Sequence, residues 1–164
     1  MAEPRTIRRV AFQALFQMDA TGEPASSELI DPIADEKQLN PSERARAAQL
    51  AEAAWNARGE ADAAVATLAP EWPAHRQPAV DRALLRIAHY EMTAGTTPPK
   101  VAVSEAVRLA KDFSTEKSPS FVNAVLDKLL KRLPASASTP EPDPNPEPDP
   151  EPAANTPQQP EAEG

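Results

Sequence analysis

The sequence contains no cysteine and only four glycines, and both shortages exclude whole classes of function. Without cysteine, neither a disulfide framework nor thiol chemistry is possible. Four isolated glycines cannot build the glycine-rich loop that holds nucleotide phosphates. The two histidines, His75 and His89, are too few and too far apart for an ordinary metal site. No serine has a positioned base, so we expect a non-enzymatic protein without metal or cofactor.

Long apolar runs are also missing. No segment approaches the roughly 18 apolar residues that a membrane-spanning helix requires, and the N-terminus lacks the apolar stretch of a secretory signal. We therefore expect a cytoplasmic protein that does not interact with membranes.

Proline is plentiful but unevenly distributed. Ten of the 20 prolines lie in Pro134–Gly164, together with seven acidic residues and no basic one. The preceding 133 residues carry 17 basic and 18 acidic residues, so most of the net charge of −8 belongs to the C-terminal segment. The acidic balance is therefore no argument against nucleic-acid binding by the rest of the chain. The composition predicts a helical domain over residues 1–133 and a disordered, proline-rich acidic tail over 134–164.

The segment Lys100–Leu133 has the most specific pattern in the chain. Apolar residues recur at helical spacing in both of its halves, which predicts two amphipathic helices. Ser118 followed by Pro119 is a typical helix start, so Ser118 is predicted to be the N-cap. The pattern predicts an antiparallel helical hairpin whose buried residues are Val103, Ala106, Val107, Ala110, Val122, Val125, Leu126, Leu129 and Leu133.

The remaining chain also predicts helices and no strands. Asn40-Pro41-Ser42-Glu43 combines an N-cap, a proline at the first position and a capping-box glutamate. Gly59 is predicted to end the helix that starts there, and Trp72 to fill a gap in the core. The fold class is therefore all-α, a compact bundle of about six or seven helices, with further helices at about Arg5–Ala20, Glu28–Ala34, Glu60–Leu68 and Pro78–Ala94.

The first helix has a basic and aromatic face opposite its apolar one. At about 100° per residue this face collects Arg5, Arg8, Arg9, Phe12 and Phe16. Guanidinium groups neutralise phosphates, and aromatic rings stack on unpaired bases, so the face fits single-stranded RNA. From the residues alone, a solvated row of arginines with both phenylalanines buried is the more frequent arrangement.

The hairpin turn offers a second phosphate-binding surface. Phe113, Lys117, Ser120 and Phe121 lie at or beside the N-terminus of the last helix, where free amides and the helix dipole favour an anion. The predicted fifth helix carries a charged strip of Asp81, Arg82 and Arg86. This strip is expected to be either a solvated face with intrahelical pairing or part of a surface that binds a protein partner.

Four segments of the chain have a distinctive sequence: RRVAFQALFQMD at Arg8–Asp19, LLRIAHYEM at Leu84–Met92, EAVRLAK at Glu105–Lys111 and SPSFVNAVLDK at Ser118–Lys128. In their order and approximate spacing they resemble the NusB family of antitermination factors. The resemblance covers most of residues 5–133. Two departures from the family pattern are Ser114 and Ala124, which stand where the family commonly has glycine.

The resemblance implies both architecture and function. The fold implied is a helical bundle of two subdomains. The function implied is that of a transcription antitermination factor that binds boxA-type single-stranded RNA of ribosomal RNA leaders. Its implied partners are NusE, a small-subunit ribosomal protein, and, indirectly, the RNA polymerase elongation complex. RNA contacts are then expected from the arginines of the first helix, with Phe16 and the hairpin turn, and NusE contacts near the strip on the fifth helix.

Two other functions remain open. One is an RNA-targeting module in ribosomal RNA maturation, because similar domains precede ribosomal RNA methyltransferases. The other is a helical adaptor that binds protein alone; Arg5, Arg8 and Arg9 argue against it. The acidic tail is expected either to compete with RNA for basic residues or only to keep the protein in solution.

Overall fold

A computed structural model describes residues 4–133 as seven α-helices, joined by short loops and one 3-10 turn. No strand occurs in this range, which confirms the all-α prediction. The tail predicted for 134–164 lies outside the described residues. The helices are α1 (Pro4–Thr21), α2 (Ser27–Glu36), α3 (Pro41–Asn56), α4 (Arg58–Leu68), α5 (Ala79–Ala94), α6 (Pro99–Phe113) and α7 (Ser118–Arg132); the 3-10 turn is Ala74–Arg76.

Helix α5 is the centre of the bundle. It contacts α1, α3, α4, α6 and α7, and every residue from Ala83 to His89 is buried. Helices α1, α2 and α3 pack on one another as a first group, and α6 pairs with α7 in the predicted hairpin. The core contains many alanines, such as Ala14, Ala51 and Ala106, whose small side chains let helix axes approach closely.

Local sequence signals set several helix ends as predicted. The Asn40 side chain accepts a hydrogen bond from the Glu43 amide at 2.9 Å, and the Glu43 carboxylate accepts one from the Asn40 amide at 2.9 Å. This is the predicted capping box, in which two otherwise unpaired amides are satisfied. Gly95 ends α5 with φ of 71°, a left-handed conformation that glycine adopts at little cost.

Gly59 does not end α3, contrary to the prediction. The helix stops at Asn56, and Gly59 lies inside the first turn of α4. The break is stabilised by Arg58, which donates a hydrogen bond to the Trp55 carbonyl at 2.8 Å and stacks over the Trp55 ring at 3.9 Å. An arginine side chain thus replaces glycine as the device that satisfies the end of the helix.

Three packing predictions were also wrong. Trp72 is 45% exposed and fills no gap in the core, because its loop runs over the surface. In α6 the buried apolar residues include Ala102, Ala106, Leu109 and Ala110, while Val103 and Val107 are only half-buried. At the end of α7, Leu133 is likewise half-buried.

Candidate nucleic-acid interface

Arg8 does not lie on an exposed basic face, contrary to the prediction. Its side chain is buried and donates two hydrogen bonds to the Glu91 carboxylate of α5, at 2.8 and 2.7 Å. Thr97 also donates to Glu91. The hydrogen bonds that Arg8 donates to Glu91 raise the pKa of Arg8 despite the opposing effect of burial. Arg8 therefore joins α1 to α5 inside the protein, and its charge is neutralised there.

Arg5 lies nearer the surface, with 46% of its side chain exposed. Its guanidinium Nε donates to the Glu105 carboxylate of α6 at 3.0 Å, and the same carboxylate oxygen lies 4.0 Å from Arg8 Nη1. Glu105 thus balances the charge of two arginines of α1. The exposed part of Arg5 remains accessible to a ligand, but a phosphate there would compete with Glu105.

Arg9 stands in a different setting, against aromatic rings. Its guanidinium carbon lies 4.7 Å from the centre of the Phe113 ring, a cation–π distance, and its Nε is buried without a hydrogen-bond partner. The Phe113 ring in turn packs on Phe12, with 5.3 Å between ring centres. Phe12 is buried, as expected for a core residue, whereas Phe16 is 36% exposed.

These rings line a shallow cavity of about 370 Å³ between α1, α2, α5 and α6. Phe12, Phe16 and Phe113 contribute aromatic carbon to it, and Gln13 and Gln17 contribute amides. The Gln13 carbonyl oxygen is buried without a partner. Glu36 also lines the cavity. Aromatic carbon with amide groups and an adjacent guanidinium can stack on an unpaired base and hydrogen-bond to it.

The turn between α6 and α7 is held by a buried carboxylate. Asp81 of α5 accepts hydrogen bonds from the hydroxyls of Ser114 at 2.7 Å and Ser118 at 2.9 Å, and the two hydroxyls lie 2.8 Å apart. Ser118 is therefore not the N-cap of α7, because its side chain points into the protein and makes no capping bond. Lys117 and Ser120 are exposed beside this anchored turn, and Phe121 is half-buried.

The strip of Asp81, Arg82 and Arg86 is not a solvated face. Arg82 binds Asp19 of α1 at 2.5 Å, and Arg86 bridges Asp62 of α4 at 2.7 Å and Asp19 at 3.3 Å. Burial raises the pKa of Asp19, but the hydrogen bonds and charges of Arg82 and Arg86 outweigh it, and the pKa lies below its ordinary value. The strip thus fastens α5 to both α1 and α4.

Sequence reasoning missed one groove of about 870 Å³ at the N-terminal end of α1. Exposed Arg46 and Val101 line it together with half-buried Tyr90, beside Arg5. Arg46 lies in an alanine-rich helix whose apolar pattern is weak. No local signal marks the groove, because α1, α3, α5 and α6 each contribute part of it.

His89 makes the stability of the fold depend on pH. Burial lowers its pKa, although the charges of Glu60 and Asp62 act in the opposite direction, and its Nδ1 has no hydrogen-bond partner. The unfolded chain therefore binds a proton at a higher pH, near 6.5, than the folded chain. Stability should decline as pH falls below about 6.5, by at most about 1.4 kcal/mol per pH unit.

The measurement is urea unfolding at pH 7.5 and pH 5.5 for the wild type and for His89→Gln. We expect the variant to lose less stability between the two pH values, whatever its stability at pH 7.5. An equal loss in both proteins would show that His89 is not the titrating group.

Comparison with known proteins relates nearly all of the described residues to one protein family. The sequence model of the NusB family matches residues 5–131. A curated relative from Herpetosiphon aurantiacus, named transcription antitermination protein NusB, is 38% identical over 130 residues, which are 77% of this chain and 88% of the relative.

Solved structures agree with that result. The structure of T. maritima NusB is similar to this one with a TM-score of 0.73 and 28% identity, over 84% of this chain and 98% of that chain. A second similar structure holds the antitermination factors NusB and NusE in complex with double-stranded RNA, with a TM-score of 0.67 and 27% identity over 77% of this chain and 95% of the other. No helix within residues 4–133 has the length and apolar character needed to cross a membrane. The chain belongs to the NusB family.

Proposed function

We propose that this protein is a non-enzymatic transcription antitermination factor, which binds boxA-type single-stranded RNA of ribosomal RNA leaders together with NusE. In this role it acts indirectly on elongating RNA polymerase, in the cytoplasm. Family membership and a similar structure of NusB with NusE and double-stranded RNA support the proposal. The observation that carries it is the cluster of Arg9, Phe113 and Phe16 beside the α6–α7 turn, where charge and aromatic surface meet.

The residues of the proposed RNA site have different roles. Arg9, Phe16 and Phe113 are the direct contacts we propose for bases and phosphates, with Arg5 at the edge. Lys117 and Ser120 extend the surface at the start of α7, where the positive end of the helix dipole favours a phosphate. Half-buried Phe121 supplies apolar support. Arg8 acts by positioning α1 through Glu91, since its guanidinium is already neutralised.

For the NusE surface we propose a similar division. Asp81, Arg82 and Arg86 lie on α5, and their charged groups bind Ser114, Ser118, Asp19 and Asp62 within the protein. They serve partner binding by holding α5 in register with α1, α4 and the α6–α7 turn. Residues 1–133 are nearly neutral, so we expect each RNA-contacting surface by itself to bind RNA with low affinity. We therefore expect NusE to raise the RNA affinity strongly, because two surfaces then act together.

The test is RNA binding with and without NusE, for the wild type and for Arg9→Ala. Removing Arg9 takes away one phosphate-binding charge and its stacking on Phe113. We expect about a tenfold loss of affinity in the complex and a salt dependence shallower by about one unit of slope. Lys128→Ala, which removes an exposed charge of α7 outside the proposed site, is the matched control.

Three outcomes decide between the functions. If NusE raises affinity and Arg9→Ala lowers it while Lys128→Ala does not, the proposal stands. If both variants lose the same affinity, only overall charge matters and the proposed site is wrong. If NusE binds but no RNA does, the protein is a helical adaptor without the RNA role.

A further inference from the structure

Helix α6 carries a row of cations on the side that the interface above does not use. Lys100, Arg108 and Lys111 stand with Ser104 at positions i, i+8, i+11 and i+4, which lie within about 80° of one another on a helix. All four are exposed. Together with Asn123 of α7 they border a groove of about 520 Å³, whose apolar floor is Val103 and Val107.

No carboxylate lines this groove. Of the acidic residues of α6, Glu105 binds Arg5 and Arg8. Asp112 is exposed one helical turn after Arg108, but it neither lines the groove nor forms an ion pair with Arg108. On α7, Asp127 is paired with Lys131 at 3.1 Å. Within residues 4–133, Lys100, Arg108 and Lys111 form no ion pair, whereas Arg8, Arg82 and Arg86 are all bound to carboxylates inside the bundle.

We propose that this groove, the α6 groove, binds the sugar–phosphate backbone of RNA that continues beyond the α6–α7 turn. The proposal rests on the RNA-binding function proposed above and extends its footprint. The three cations neutralise phosphates, Ser104 and Asn123 donate hydrogen bonds to phosphate oxygens, and the valine floor accommodates the apolar faces of sugars. The groove takes any sequence, because nothing in it is placed to distinguish base edges.

Continuity with the first site favours RNA as the occupant. Lys111 lies two residues before Phe113, and Asn123 lies one helical turn after Ser120, so the groove begins where the proposed site ends. Lys100 and Lys111 are separated by about 16 Å along the helix axis. That length spans roughly five nucleotides at the ~3.4 Å spacing of a stacked strand. The alternative occupant of the α6 groove is the acidic segment 134–164, whose seven carboxylates are opposite in charge to the three cations.

The experiment compares two RNAs in complexes with the full chain and NusE, by fluorescence anisotropy over a range of salt. One RNA covers only the boxA-type segment, and the other adds about six nucleotides on each side. The test variant is Lys100→Ala/Arg108→Ala/Lys111→Ala. The control variant is Arg76→Ala/Lys128→Ala/Arg132→Ala, which removes the same charge from exposed positions outside the groove.

We expect the wild type and the control to bind the longer RNA about tenfold more tightly at low salt. The test variant should lose that gain, and its salt dependence with the longer RNA should be shallower by about two units of slope, at about 0.7 per phosphate of a single strand. Binding of the short RNA should change little, and circular dichroism should show the same melting temperature. Restoring arginine at position 108 alone should recover part of the gain.

Four results would overturn the inference. If the test and control variants lost the same affinity for the longer RNA, net charge alone would explain the loss. Equal binding of the two RNAs by the wild type would show that nothing beyond the first site is used, with the proposed function intact. No binding of either RNA would remove the proposed function and this inference with it. The fourth uses a full chain whose seven tail carboxylates are replaced by amides: if the α6 substitutions weaken binding of the longer RNA only while the tail carboxylates are present, the cations hold the tail and do not bind RNA.

Discussion

Glu91→Ala is expected to lower the free energy of unfolding by about 3–5 kcal/mol, the largest effect among the variants considered. The mutation leaves the Arg8 guanidinium buried between α1 and α5 without its bidentate carboxylate, and it removes the acceptor of the Thr97 hydroxyl. A buried unpaired charge costs far more than the pair contributes, because desolvation is then uncompensated. Urea unfolding at pH 7.5 measures the loss directly.

The double variant Arg8→Met/Glu91→Leu distinguishes the net contribution of the ion pair to stability from the cost of leaving one buried charge unpaired. Replacing both charges with apolar side chains removes the desolvation penalty, so this variant should be much closer to the wild type than Glu91→Ala. Arg5→Ala is the surface control, and it should cost less than about 1 kcal/mol because its ion pair with Glu105 is half exposed. If Glu91→Ala were as stable as Arg5→Ala, the fold would not depend on the buried pair of Arg8 and Glu91.

The same double variant tests the role of Arg8 in RNA binding. If Arg8 only positions α1, the folded double variant should bind RNA with NusE nearly as well as the wild type. A loss as large as that of Arg9→Ala would show that Arg8 leaves Glu91 to contact RNA, and the assignment of Arg8 as a positioning residue would then be wrong.

Asp81→Ala is expected to cost about 3 kcal/mol of stability and to weaken RNA binding as well. The half-buried hydroxyl of Ser114 and the buried hydroxyl of Ser118 lose their charged acceptor at once. Hydrogen bonds to charged groups contribute about 1.5–3 kcal/mol each. The hydrogen bonds to Asp81 fix the turn that presents Lys117 and Ser120, so the turn should become mobile in the variant. Unfolding by urea and RNA binding with NusE are measured on the same preparation.

Milder variants provide the controls for this cluster. Asp81→Asn keeps one acceptor oxygen and should lose roughly half as much stability, since a hydroxyl can turn to accept from its amide. Ser114→Ala removes one hydrogen bond and should lose about 1–2 kcal/mol. If Asp81→Ala changed stability by less than about 0.5 kcal/mol, the carboxylate would not hold the turn. Unchanged RNA affinity in a destabilised variant would separate the turn from the RNA site.

Much of the fold could be predicted because its signals are local. The capping box at Asn40 depends on residues three positions apart, and the left-handed end of α5 requires only Gly95. In α7 the predicted core residues Val122, Val125, Leu126 and Leu129 are all buried. Helical spacing reports such a face wherever one side of the helix is clearly apolar.

The candidate site could be predicted only in part, because helical spacing does not distinguish an exposed arginine from a buried one. Arg8 and Arg9 are neighbours in the same basic run, yet Arg8 binds Glu91, which lies 83 residues away, and Arg9 stacks on Phe113 of α6. Likewise, the sequence of the strip on α5 is compatible with a solvated face, and only the tertiary structure places Asp19 and Asp62 beside it. Long-range partners decide which charges are available to a ligand.

By itself the sequence determined the helices, the order of the hairpin and the uneven placement of charge, since each depends on spacing, caps or composition within a short segment. The family resemblance followed from the same local patterns. Only the tertiary structure decided which cations face solvent, because desolvation favours pairing wherever a carboxylate from another helix lies within reach. The cations of α6 remain unpaired within residues 4–133 for the same reason: no packed helix brings a carboxylate to that face.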